Sequence, residues 1–192
     1  MKTKDRILDT AIELFNQAGV GAVTTNHIAD AAGISPGNLY YHFGNKEAIV
    51  RELFERLYAE WDEKLALPAH QMPTLDDVLA LVRTNFSIMW QYRFVYREVL
   101  TLLRQDAELQ ARYISVRRRS YDGFRELIAL FGQAGVLAVP DDATVTELAD
   151  LCWLISEFWL ANVEITGETV SEPHLEHGIR LMLRVLRPYI KI

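Results

Sequence analysis

The chain has 192 residues, half of them hydrophobic and 24% charged, with a formal net charge of −6. That balance suits a globular protein of one domain, or of a small domain plus a larger one, and counts against a generic basic nucleic-acid binder. No apolar run approaches the roughly 20 residues needed to span a bilayer, the first residues carry acids too often for a secretory leader, and the single Cys152 excludes an internal disulfide, so the expected setting is the cytoplasm.

The first predicted helix runs from Lys4 to Ala18 with Ile7, Leu8, Ala11, Leu14 and Phe15 as its apolar stripe, and Gly19 ends it. Thr24 or Thr25 can cap a short second helix with Ile28, Ala29 and Ala32 on one face. Gly33 follows where the chain must turn left-handed, which glycine does at little cost. Ser35 then reads as an N-cap and Pro36 as the first residue of a third helix. Leu39 and Phe43, four apart, point that helix inward. Its other side carries Asn38, Tyr40, Tyr41 and His42, which donate hydrogen bonds or stack. Two short helices joined by a tight glycine turn place the second where it can enter a major groove. From Asp30 to Lys46 there is no other acid, and helix N-termini bind phosphate without net charge. The global charge therefore does not forbid local contact. A corner that merely packs would not need two tyrosines, a histidine and an asparagine on its outer face.

Asn45 can cap a longer helix from Lys46 to about Leu67 with Ile49, Leu53, Leu57 and Trp61 inward. Pro68 is expected to stop it, and residues 69–73 read as a linker. The remainder reads as helix throughout: Leu75 to Gln91, Phe94 to Leu103, Asp106 to Phe131, Thr144 to Ile165 and Pro173 to Leu186. No segment shows strand alternation, a repeat or a glycine-rich phosphate loop. The last two helices are apolar on more than one side. Leu148, Leu151, Ile155 and Phe158 form one stripe beside Trp153, Leu160 and Val163, and Ile179 and Met182 run beside Leu183. Such helices are either central or at an interface. The many aromatics fill a core or line a pocket. Pocket candidates are Trp90, Tyr113, Arg117, Tyr121, Trp153 and Glu157. The run Arg117-Arg118-Arg119 fans around its helix, so at least one member should face inward or pair with an acid. His174 and His177 share a helix face but lack a third ligand, so no metal is expected, and nothing calls for a cofactor.

In its helix-turn-helix the chain resembles the TetR family of bacterial transcriptional regulators. The matching residues are Thr24-Thr25, Ile28-Ala29, Ala32-Gly33-Ile34-Ser35, the run from Gly37 to Phe43, and Asn45-Lys46-Glu47. With the flanking helices, the resemblance covers about the first third of the chain. It implies an all-α protein with a three-helix, DNA-binding helix-turn-helix head over 1–46. A helical ligand-binding and dimerisation body follows over 47–192, joined through the helix from Lys46. Positions matching Thr25, Tyr41, His42 and Lys46 meet phosphates in the family, and Gly37, Asn38 and Tyr40 lie on the base-facing side. Thr24, Ser35 and Pro36 complete the expected DNA-binding set. The last two helices would pair with a mate, placing Leu160, Val163, Ile179 and Leu183 in a homodimer contact that matches a palindromic operator. A small apolar or aromatic effector would sit among the middle helices and release a repressor from DNA. The rival readings are a DNA-binding protein with a filled body and no effector, and a helical enzyme. The enzyme reading lacks a nucleophile–base pair, a metal set and a cofactor loop.

Overall fold

Short polar side chains mark where the helices begin. The computed structural model describes residues 2–67 and 72–191. Within them lie α1 (Thr3–Ala18), α2 (Thr25–Ala31), α3 (Pro36–His42), α4 (Lys46–Lys64), α5 (Leu75–Gln91), α6 (Arg93–Gln105), α7 (Ala107–Gln133), α8 (Asp142–Ile165) and α9 (Glu172–Leu186). Thr24, Ser35, Asn45, Thr74, Asp106 and Asp141 each accept a hydrogen bond from the backbone N–H three residues on. Each thereby satisfies a donor that the first helical turn leaves free. The stop expected at Pro68 and most of the linker expected over 69–73 lie outside the described residues. Helix α4 ends before them, at Lys64. The architecture among the described residues is all-α, with one isolated antiparallel bridge, Leu137 to Ile190, tying the α7–α8 loop to the C-terminal segment.

Helices α1 to α3 pack on one another and on the start of α4. Ile7, Leu8, Ala11 and Phe15 of α1 share a core with Ile28, Ala29, Leu39, Phe43, Ile49 and Leu53. Burying such side chains supplies about 1.5–3 kcal/mol each, which short helices need because they are marginal alone. In the body, α8 packs against α5, α6, α7 and α9. This explains why its sequence is apolar on several sides. Gly178 lets α9 lie close to its neighbours: a Cβ there would stand 2.4 Å from Phe86 Cε1 and 2.6 Å from Trp159 Cδ1.

The central place of α8 corrects part of the expected dimer contact. Leu160, Val163 and Ile179 are buried inside the protomer, and Leu183 is half-buried against the same core. Leu160, Val163 and Ile179, each less than a tenth exposed, have almost no surface left to offer a mate. The outward apolar residues of α8 are instead Leu151, Leu154, Phe158 and Ile165.

Head and body meet at the C-terminal end of α1. Asn16 is buried there, donating through Nδ2 to the Gln91 carbonyl at 2.7 Å and accepting through Oδ1 from the Phe94 N–H at 3.0 Å. It thus satisfies the groups freed where α5 ends and α6 starts. Arg97 donates to the Asn16 carbonyl at 3.0 Å, and the Val20 N–H donates to Glu98 at 3.1 Å. Gly19, with φ +80°, makes the turn that brings Val20 to that carboxylate. Helices α4 and α7 run in the same direction and are linked by three ion pairs spaced along their length. Arg51 meets Asp106 at 2.7 Å, Arg112 meets Glu55 at 2.7 Å, and Arg119 meets Asp62 at 2.9 Å.

Candidate nucleic-acid interface and ligand cavity

Ser35 Oγ accepts from the Asn38 N–H at 3.2 Å and fixes where α3 begins, while Gly33 at φ +64° makes the turn from α2. With Leu39 fully buried, the opposite side of α3 faces out. Tyr41 is 85% exposed and Tyr40 51% exposed. Ser35, Pro36, Gly37 and Asn38 are exposed as well, and His42 is half-buried with its ring edge-on to Tyr41 at 5.2 Å. A Cβ built on Gly37 would meet only Ser35 Oγ, at 4.0 Å. Nothing among the described residues requires glycine there.

Two expected contacts have roles inside the head. The Thr25 hydroxyl lies 3.0 Å from the Tyr40 hydroxyl and joins α2 to α3. The Lys46 ammonium donates to the carbonyls of Val20 at 2.7 Å and Val23 at 2.9 Å, which pins the α1–α2 loop to the start of α4. Two of its three N–H bonds are thus used internally, and its expected role as a free phosphate ligand is reduced to the third. Thr24 accepts from the His27 N–H at 3.2 Å and donates its own N–H to His27 Nδ1 at 3.3 Å. Of the two cap candidates, Thr24 and Thr25, Thr24 is the cap, and its partner His27 carried no signal in the sequence because the usual partner in that reciprocal cap is Glu or Gln.

The body holds a partly open cavity of about 610 Å³, within the range of small-molecule sites. Six aromatic residues line it: Trp61, Tyr96, Tyr113, Phe124, Phe131 and Trp153. Its wall also contains Asn85, Ser156 and Glu157. The Glu157 carboxylate is largely buried and accepts from Tyr113 Oη, Arg117 Nη2 and Trp153 Nε1, each at 2.9 Å. Burial, then the charge of Glu157 and the hydrogen bond to it, push the Tyr113 phenol above its ordinary range, so it stays a donor. The hydrogen bond to Glu157 raises the Arg117 guanidinium, which stays charged. Cys152 also lines the cavity, and burial pushes its thiol up to about 12, so it is a neutral apolar wall at ordinary pH.

Of the expected ligand residues, Tyr113, Trp153 and Glu157 share the cavity wall. Arg117 and Tyr121 sit in a shallower neighbouring recess with Asp150 and Leu154. Trp90 lines neither: the Arg93 guanidinium lies 4.7 Å from its ring centroid and donates to its carbonyl at 2.9 Å. The side of α5 that reaches the cavity carries Val78, Leu81, Val82 and Asn85 instead. Trp61, Asn85, Tyr96 and Ser156 were missed. A polar Asn85 next to an apolar stripe was a signal for one of them; the others gave none. Among the described residues no cluster of His, Cys, Asp and Glu could hold a metal, and no helix is long and apolar enough to cross a membrane.

The head matches the family described as "Bacterial regulatory proteins, tetR family" over residues 7–53, and the body matches "Bacterial transcriptional repressor" over residues 56–191. The chain is 38% identical over 185 residues to the transcriptional repressor KstR2 of Rhodococcus jostii (strain RHA1), covering 90% of this chain and 87% of that protein. It is 30% identical over 115 residues to the regulator YttP of Bacillus subtilis (strain 168), covering 55% of this chain but only 56% of that protein. A crystal structure of a TetR-family transcriptional regulator from Marinobacter aquaeolei VT8 superposes with a TM-score of 0.89 at 33% identity, over all of this chain and 92% of that one.

Proposed function

The chain belongs to the TetR family of bacterial transcriptional regulators, and on that premise we propose that it is a homodimeric repressor released from a palindromic operator by a small molecule held in the body cavity. One observation carries this reading: α4 begins in the head, where Lys46 holds the α1–α2 loop, and reaches the cavity, whose wall includes Trp61, Asp62 and Leu65. A molecule that fits the cavity in only one position of α4 therefore biases the position of the head. It acts only through its different affinity for the two arrangements. Helix α6 makes a second link, since Tyr96 lines the cavity while Phe94 and Glu98 contact the head.

The head is taken as 1–46 and the body as 47–192, with α4 belonging mechanically to both. Thr25, Tyr41, His42 and the remaining N–H of Lys46 set register on phosphates, together with the α3 N-terminus at Ser35 and Pro36. Gly37, Asn38 and Tyr40 face base edges. The mate contact lies on the outer face of α8. Leu151, Leu154, Phe158 and Ile165 follow steps of three, four and seven, the spacing of a helix seam. Its dyad brings the two α3 helices to successive major grooves, about 34–36 Å apart. Acting on DNA, the protein works in the cytoplasm. The cavity favours this reading over a regulator with a filled body.

The test is selection of duplexes from a random pool by the purified protein. A palindromic site is expected to be enriched, and no enrichment would refute the reading. On that site Tyr41→Ala weakens binding to every variant alike, whereas Asn38→Ala alters preference at one base pair per half-site by roughly 1–3 kcal/mol. Leu154→Glu places a charge in the seam and yields a monomer in sedimentation. A persistent dimer in that variant would move the contact off α8.

A further inference from the structure

We infer that the cavity takes an uncharged, largely apolar molecule bearing a single hydroxyl, keto or amide group, recognised by Asn85 and Ser156. The inference rests on the reading of the cavity as the effector site and specifies the chemistry of its occupant.

The charges around the cavity argue first. Glu157 is the acidic side chain of its inner wall, and its carboxyl oxygens already accept from Arg117, Tyr113 and Trp153. A cationic ligand would have to displace Arg117 to use it. The remaining charged wall residues are Asp62, Arg119 and Glu126. Asp62 and Arg119 are paired with each other at 2.9 Å and are both well exposed, and Glu126 is exposed too. They sit at the solvent side. Two carboxylates and one guanidinium leave that rim negative, so an anionic head group meets repulsion there, and among the described residues no unpaired cation lines the wall further in. An unpaired charge carried into the apolar interior is costly. An uncharged molecule avoids all three penalties.

Unused hydrogen-bonding capacity argues second. Asn85 on α5 donates through Nδ2 to Ser156 Oγ on α8 at 3.0 Å. Among the described residues, the Asn85 side-chain oxygen accepts from no group and the Ser156 hydroxyl donates to none. Both residues line the cavity. One free acceptor and one free donor therefore lie side by side on a mostly aromatic and aliphatic wall, whose other polar members are the paired Glu157, Ser120 and the outer Asp62, Arg119 and Glu126. A hydroxyl or primary amide can use both, and a keto oxygen can accept from the serine. Covering this half-buried pair with a plain hydrocarbon would take it out of water and leave both groups unpaired, which is costly, so the site favours a molecule bearing such a group.

The test uses the full-length protein and diphenylhexatriene, a hydrocarbon fluorophore that needs only the apolar wall. Its displacement is followed with dodecanol, dodecanamide, dodecanoate and dodecyltrimethylammonium, all below their micellar concentrations. The alcohol and the amide are expected to displace it at concentrations about tenfold lower than either ion, a difference of about 1.4 kcal/mol. The double variant N85L/S156A is expected to lose that advantage while binding the hydrocarbon fluorophore at least as tightly as the parent, since the penalty of covering the polar pair is gone. The inference is overturned if either ion competes as well as the alcohol, if the double variant keeps the advantage, or if neither the fluorophore nor any competitor binds. Release of the selected duplex is measured separately. If dodecanol binds by these criteria and the duplex stays bound, the ligand class stands and the repressor reading falls.

Discussion

In the head, the side chains that face outward lie between Thr24 and His42, and caps and turns of three or four residues hold them in place. In the body, the cavity wall draws on α4, α5, α6, α7, α8 and α9. The head thus builds its surface from contacts close in sequence, and the body builds its interior from contacts far apart. A local device such as Ser35 can be judged from its neighbours along the chain. A distributed one such as the Glu157 cluster, which gathers Tyr113, Arg117 and Trp153, exists only when the helices have packed. The two regions meet at Asn16, whose side chain is local to the head while its partners Gln91 and Phe94 belong to the body.

Three substitutions probe that contrast, in falling order of expected effect. Asn16→Leu strands the buried Phe94 N–H and removes the donor to the partly buried Gln91 carbonyl. It is expected to cost about 3 kcal/mol in urea denaturation, since each buried unsatisfied group costs about 1–3 kcal/mol. It should also let the head unfold ahead of the body. A single transition at unchanged midpoint would show that head and body do not depend on this joint.

Asp106 tests the α4–α7 connection through pH. Hydrogen bonding to Arg51, helped by the Leu109 N–H, holds its carboxyl below the ordinary range against the opposing effect of burial. A carboxyl lowered in the folded state contributes stability that is present above its unfolded pKa, about 3.9. That stability is lost as pH falls through the folded value. Asp106→Asn is therefore expected to cost roughly 1.5–3 kcal/mol at neutral pH, the worth of hydrogen bonds to charged groups. The difference from the parent should shrink as the pH falls below about 4. A pH-independent difference in midpoint would assign the loss to packing instead.

Ser35→Ala removes the cap of α3 and is expected to cost about 1 kcal/mol. The loss should appear in hydrogen exchange of the amides at Gly37, Asn38 and Leu39, with the body unaffected. Faster exchange in α7 or α8 would mean that the head is not locally stabilised.

The bounds of α5 and most of those of α2, α3 and α4 were legible because caps, glycine turns and apolar spacing are written within a few residues. Thr24, Ser35 and Asn45 accept the hydrogen bonds their positions call for. Lys46 was visible as a cation at the right place, but its two carbonyl partners lie over twenty residues upstream, so its internal role was hidden. Trp90 misled for a related reason. An aromatic residue on a helix of the body is as compatible with an outer face, here packed with Arg93, as with a pocket.

By itself, the sequence determined an all-α chain, the helix starts at Pro36, Lys46 and Leu75, the left-handed turn at Gly33 and the outward row of Asn38, Tyr40 and Tyr41, because each depends on steric and hydrogen-bonding rules that act over a single helical turn. Tertiary structure alone decided which side of α8 is covered and where the cavity opens. A helix apolar on several sides carries no mark of which neighbour hides which side. Leu160 and Leu154 are the same residue type on the same helix, and only the packing of α5, α6, α7 and α9 buries the first and leaves the second exposed.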